Sequence, residues 1–176
     1  MLSSKTIRFL QIFIIGCLSL YTTFIFAGNL MDYNSNYEFV KHVFAMDTTF
    51  PDNDLKWRAI TNHTMVNLAY WAIIAAEGAV ALLGWITTIK MSRRFKKSAE
   101  LFNSAKAIGF YAFMLAIAIW FVGFLCVGSE WFAMWQSTEW NGKQTAMDIV
   151  QIVGIFLLVF MVPVQALKAA SDKNHS

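Results

Sequence analysis

The chain has 176 residues, 57% hydrophobic and 16% aromatic, with only 14% charged. Soluble domains carry about 25% charged residues, so this composition excludes an ordinary soluble enzyme and points to an integral membrane protein with one membrane domain. The net charge of +3 is small, is accounted for by membrane topology, and implies no nucleic-acid partner.

The polar start carries Lys5, with Arg8 just beyond, and an apolar run extends from Phe9 to Ala27. That run is longer than the roughly 7–15 apolar residues of a signal peptide, so it is read as an uncleaved first span. Its polar groups Ser19, Tyr21, Thr22 and Thr23 can bond back to their own helix or pair with a neighbour. Cys17 and Cys126 both lie in apolar runs. They have neither metal nor disulfide spacing and read as small buried packing residues.

A hydrophilic segment follows, from Gly28 to His63. Ser35 and Glu38 have capping-box spacing, which predicts a helix from Asn36 to about Met46. Phe39, Val40, Val43 and Phe44 share one face of it, and Glu38, Lys41 and His42 the other. Such an amphipathic helix lies at a membrane interface or lids a bundle. Phe50-Pro51-Asp52-Asn53 is a turn signal, and Asp54 is placed to cap a second short helix over Leu55 to about Ile60.

The second span, Thr64 to Ile89, holds a single carboxylate, Glu77, near its centre. A basic loop comes next, with Lys90, Arg93, Arg94, Lys96 and Lys97, and Lys106 at its far end. The third span carries the small residues Gly109, Ala112, Ala116, Ala118 and Gly123, which permit close helix contact. A second external loop is dense in aromatics, with Trp131, Phe132, Trp135 and Trp140. Thr145 and Asp148 resemble another capping box, placing Asp148 in the first turn of the fourth span. Pro163 is expected to kink the inner end of that span.

The expected fold is therefore an all-α membrane protein, a four-transmembrane-helix bundle with short interfacial helices in the first external loop. Its spans lie at about 9–27, 64–89, 107–127 and 146–167. External loops cover 28–63 and 128–145, and the basic loop covers 90–106. Lys5, Arg8, the basic loop, Lys168 and Lys173 share one side, while Asp32 through Asp54, Glu130 and Glu139 share the other. The positive-inside rule then makes both termini cytoplasmic.

Glu77 is the candidate intramembrane site, because a mid-membrane charge costs at least ~2.5 kcal/mol and often marks function. It can carry a proton or bind a cation or cationic substrate. Alternatively it is a protonated structural group bonded to Ser19, Thr22 or a neighbouring backbone carbonyl. No span carries a central histidine, so haem ligation is not expected. His42 with Asp47 or Glu38 lacks a recognised metal spacing, and no nucleotide-binding or hydrolase motif is present. No cofactor or metal is expected. An enzyme acting on lipid or quinone through His42 with Asp47 or Asp32 lacks a visibly positioned partner for the base.

Several strings taken together resemble a bacterial family of predicted small integral membrane proteins, a domain of unknown function. They are Asn29-Leu-Met-Asp32-Tyr33, Phe39-Val-Lys-His42-Val, Met46-Asp47-Thr-Thr-Phe50-Pro51 and Trp57-Arg58-Ala-Ile60, followed by Glu77 and then Ser129-Glu-Trp131-Phe-Ala-Met-Trp135-Gln-Ser137 with Trp140-Asn-Gly142. The resemblance covers nearly the whole chain and implies four transmembrane helices in a bacterial inner membrane. It implies no activity.

The strings concentrate in the two external loops, which are expected to fold over each other as one cap. Asp32, His42, Asp47, Trp57, Arg58, Trp131, Trp135 and Trp140 form a candidate external interaction surface, since Trp and Arg favour binding surfaces. Anchoring at the interface is the alternative role for these aromatics. The first functional expectation is an accessory or partner subunit of a membrane complex, set in the lipid bilayer and contacting another membrane protein or a second copy of itself. The alternative is a transporter or binder of a small amphiphile or cation, using Glu77 beneath the external loops.

Overall fold

A computed structural model describes residues 3–165. Four helical stretches are long and apolar enough to cross a bilayer: Ser4–Met31, His63–Arg93, Ala99–Trp131 and Lys143–Met161. No strand occurs among the described residues. The all-α, four-span fold expected from the sequence is the one observed.

Helix α1, Ser4–Met31, starts at Ser3, whose Oγ accepts a hydrogen bond from the Thr6 backbone N–H. It continues well past the apolar run. Helix α2, Tyr33–Ala45, follows after Asp32 alone. It begins ahead of the Ser35–Glu38 pair and has no side-chain cap, so those two residues do not act as a capping box. It ends at Met46, in the left-handed region at φ 51°. The second short helix is only a 3₁₀ turn, Lys56–Arg58. Asn53 Oδ1, rather than Asp54, accepts the Leu55 N–H at 2.9 Å.

Helix α3, His63–Arg93, is capped by Asn62, whose Oδ1 accepts from the Met65 N–H. The third span is built in three parts: α4, Ala99–Ser104; α5, Ala107–Ile117; and a π-helix, Ala118–Trp131. Helix α6, Lys143–Met161, begins after Gly142. Its start precedes the Thr145–Asp148 pair, and Asp148 instead accepts from Gln144 Nε2 at 2.8 Å. The helix stops at Met161, so Pro163 follows its end and does not kink it; the residue before a proline disfavours helical geometry. Residues 166–167 of the expected fourth span, with Lys168 and Lys173, lie outside the described residues.

Each span packs on its neighbours in sequence, and α6 closes the ring against α1. This is an up-down-up-down bundle. Small residues set its closest approaches. A Cβ on Gly84 would stand 3.2 Å from Ser19 Cβ and 3.5 Å from Ser19 Cα. Gly109 sits equally close to Phe160 and Thr87. Ala112 and Ala116 are fully buried, but Ala118 and Gly123 border open space rather than a helix contact. The Phe160 ring packs on Phe110 and Phe113 at centroid distances of 5.3 and 5.1 Å. The hydroxyls of Ser19, Thr22, Thr87 and Thr88 all donate to carbonyls of their own helices. Cys17 is half-buried and Cys126 exposed, so neither is the buried packing residue expected.

The segment joining the first two spans and the one joining the last two fold together as one cap. Thr48 Oγ1 donates to Ser137 Oγ at 2.8 Å, and the Phe50 N–H donates to Gln136 Oε1 at 3.1 Å. Phe44 stacks on Phe132 at 4.6 Å. Val43, Met46, Phe132, Ala133 and Met134 form a small core of their own.

The α1–α3 seam gives a direct test. Gly84→Ala forces a methyl against Ser19 and is expected to destabilise the bundle by about 1–3 kcal/mol, the usual range for overpacking. Gly154→Ala has open space around the new methyl and is expected to be neutral or slightly stabilising. Melting temperatures of the two variants in the same detergent decide this; equal behaviour would remove the seam argument.

Candidate functional site

Glu77 lies midway along α3 and is 2% exposed. Its partner is neither Ser19 nor Thr22, whose hydroxyls are spent on their own helix. Asn29, in the last turn of α1, donates from Nδ2 to Glu77 Oε2 at 2.6 Å. The Asn29 backbone carbonyl accepts from Tyr70 Oη at 3.1 Å. Tyr70 stands two turns before Glu77 on the same face of α3, so α3 grips Asn29 twice. Behind this contact Tyr33 packs on Tyr37, Tyr70 and Trp71, and its hydroxyl donates to Asn67.

No donor among the described residues reaches Glu77 Oε1. The Glu77 side chain borders a cavity of about 410 Å³. Tyr21, Asn29, Tyr70 and Trp120 form its walls, and Asn36 of α2 with Asn141 of the second loop stand over it. Tyr21, Asn141 and Thr145 are its exposed lining residues, which places the mouth between α1 and α6.

Two apolar cavities adjoin this chamber. One, about 420 Å³, lies between α2, α3 and the π-helix and shares Phe39, Val40, Ile73 and Phe124 with it. Its α3 wall is Ala69, Ala72 and Ala76, and its opposite wall includes Ala118, Gly123 and Gly128. The latter three recur every fifth residue, the hydrogen-bond step of a π-helix, so the unusual winding holds small residues on one face. The second, about 360 Å³, runs between α1 and α6 past Cys17 and Asp148 and shares Tyr21 and Thr145 with the chamber.

The candidate external residues fall into separate groups. His42 Nδ1 lies 2.7 Å from Asp47 Oδ2, and Nε2 lies 3.5 Å from Glu38 Oε2. Trp140 stacks on the His42 ring at 4.6 Å. Glu38 also takes the Lys41 ammonium at 2.7 Å, which raises the Lys41 pKa above its ordinary value. Arg58 lies over Trp131 at 4.3 Å and Trp57 at 5.4 Å, and donates to the Trp131 carbonyl. Trp135 meets Phe50 edge-on. Asp32 joins none of these groups. It occupies the α1–α2 corner, about 15 Å along α2 from His42.

A cluster at the other end of the bundle is absent from the sequence expectations. Gln11 is fully buried and donates from Nε2 to the carbonyls of Val159, Phe160 and Val162. Lys106, expected as an exposed loop charge, is 3% exposed and donates to the Val162 carbonyl at 2.8 Å. The two side chains cover carbonyls that the end of α6 leaves without helical partners, and a cation there also suits the helix dipole. Lys106 at the end of a basic loop gives no clue to this cluster, but Gln11 inside an apolar run was the available signal.

Four packed apolar spans, a buried carboxylate and a loop-built cap define a small helical integral membrane protein. The chain belongs to the family described as "Predicted small integral membrane protein" (DUF2165), whose family model matches residues 7–163. That match takes in nearly all of the first span, the other three spans and both segments of the cap. No curated protein and no solved structure matches the chain.

The Asn29–Glu77 contact can be weighed by a double-mutant cycle with Asn29→Ala and Glu77→Ala. A buried hydrogen bond to a carboxyl group is expected to give a coupling of about 1–3 kcal/mol. Reversible unfolding in mixed micelles measures it, and additive single effects would show that the two side chains do not act together.

Proposed function

We propose that this protein binds a small amphiphile, with the head group at Glu77 and the hydrocarbon tail in an adjoining apolar cavity. The observation that carries this reading is an open carboxylate oxygen at the junction of a polar chamber and two apolar ones. A head group bearing N–H or O–H donors, an ammonium above all, would supply the hydrogen bond that Oε1 lacks. The chamber and either arm fall in the usual size range of ligand sites, roughly 300–1,000 Å³. The basic loop supports an orientation with both termini on the cytoplasmic side of a bacterial inner membrane. The cap and the chamber mouth then face the periplasmic side.

Protein in phosphatidylcholine nanodiscs, titrated with dodecylamine and dodecanol and followed by tryptophan emission, tests this. Trp120 lines the chamber and provides the signal. Dodecylamine is expected to bind roughly tenfold more tightly, about 1.4 kcal/mol, and Glu77→Gln is expected to erase the preference. Gly123→Leu, which fills an apolar arm, weakens both ligands alike. Wild-type discrimination retained in Glu77→Gln sinks the proposal.

A second reading, an accessory subunit of a membrane complex, rests on a different observation. Arg58 lies between Trp57 and Trp131 on the outer surface of the cap, and Trp57 is 72% exposed. Such Trp–Arg groups are the usual energetic centres of interfaces. Trp57→Ala with Trp131→Ala is expected to release a partner that co-purifies stoichiometrically with the wild type in mild detergent. A wild-type protein that emerges alone and monomeric from native membranes ends this reading.

A further inference from the structure

The end of the bundle opposite the cap carries a groove of about 460 Å³ between the start of α1 and the segment joining α3 to α4. Ser4, Lys5, Arg8, Lys96, Lys97 and Ser98 line it, and none of its described lining residues is acidic. Arg8 is the built element. It is 8% exposed, packs over Phe102 at 4.9 Å and donates from Nη1 to the carbonyls of Phe95 and Lys97, each at 2.6 Å. Those bonds hold the loop around the guanidinium. Among the described residues no acidic group compensates its charge: its partners are neutral carbonyls, and Nε has none. A buried guanidinium is costly without a matching anion; with Nη1 spent on the loop carbonyls and Nε closed off, Nη2 is the group left among the described contacts to meet a phosphate oxygen. The first turn of α1 borders the same groove, adding a partial positive charge.

The depth of the groove identifies the carrier of the anion. Phe9, Leu10 and Phe13 follow Arg8 directly and are exposed on the outer surface of α1. Apolar side chains presented outward at that level mark the edge of the hydrocarbon layer, so the groove lies at head-group depth. We infer that this groove binds the phosphate of an anionic lipid, held between Arg8 and the lysines Lys5, Lys96 and Lys97. This inference is independent of the Glu77 chamber.

Native mass spectrometry of the full chain in a mild non-ionic detergent tests it, with phosphatidic acid, phosphatidylcholine and inorganic phosphate as probes. Wild type is expected to retain one phosphatidic acid in preference to phosphatidylcholine. The exposed triple substitution Lys5→Gln/Lys96→Gln/Lys97→Gln is expected to weaken phosphatidic acid by about fivefold per charge removed, with an unchanged melting temperature in lipid-free detergent. Arg8→Lys, which keeps the charge but loses the planar group that holds both loop carbonyls while leaving Nη2 free, is also expected to weaken it. Equal retention of the two lipids, or undiminished phosphatidic acid binding by the triple variant, overturns the inference. Displacement of phosphatidic acid by an equal concentration of inorganic phosphate overturns the lipid source and leaves a soluble phosphate.

Discussion

Inside hydrocarbon no water completes a buried polar group, so each one must be met within the chain. The span hydroxyls meet this condition locally, on carbonyls a turn back. Glu77 cannot, and the bond from Asn29 is the interaction on which the loop end depends. To bring Asn29 opposite Glu77, α1 must run on beyond its apolar stretch. Because α2 starts one residue after α1 ends, that extension also sets where α2 lies. Asn36, Phe39 and Val40 are thereby carried over the chamber. One side-chain contact thus fixes both the floor and part of the roof of the cavity.

The two ends of the bundle answer the same constraint in opposite ways. At the basic end Gln11, Lys106 and Asn103 fasten the last residues of α6 and the segment leaving it to α1 and the third span. Phe160 fills the remaining space between α5 and α6. Toward the cap the spans part, and Glu77 keeps an oxygen without a donor among the described residues. The chamber therefore lies toward the cap end of the bundle. Binding needs nothing more than this, whereas passage across the membrane needs a second arrangement in which the Gln11–Lys106 fastening and the Ser19–Gly84 seam both open.

Span number, the basic loop and the lone mid-membrane carboxylate were all legible in the sequence, because length, hydropathy and isolated charge require no knowledge of neighbours. The partner of Glu77 was not. Asn29 stands in a stretch whose polarity reads as loop, although it falls on the same helical face as Leu18 and Thr22, seven residues on from the latter. Ser19 and Thr22 looked better placed, but a hydroxyl can satisfy itself within its helix and an asparagine amide cannot do so as readily. Lys106 was hidden for the reverse reason: a lysine at the end of a basic loop reads as solvated, and only the fold brings the end of α6 to it. The Ser35–Glu38 and Thr145–Asp148 spacings failed as caps because each lies inside a helix that had already begun.

The π-helix is the feature that period-based reading is least able to find, since sequence patterns are sought at 3.6 residues. It also lines one apolar arm of the proposed binding site. Small residues on transmembrane helices ordinarily draw two backbones together, as Gly84 and Gly109 do here. Ala118, Gly123 and Gly128 have the same composition and the opposite effect. The third span packs on α3 along α5 but hardly at all along the π-helix, and α2 with its Phe39 and Phe44 stands beside the gap. Packing alone gives no reason to line a gap between held-apart helices with alanine and glycine. Large apolar side chains would fill it and add dispersion contacts. Small residues in that position preserve space, and space joined to an open carboxylate oxygen is what an amphiphile requires.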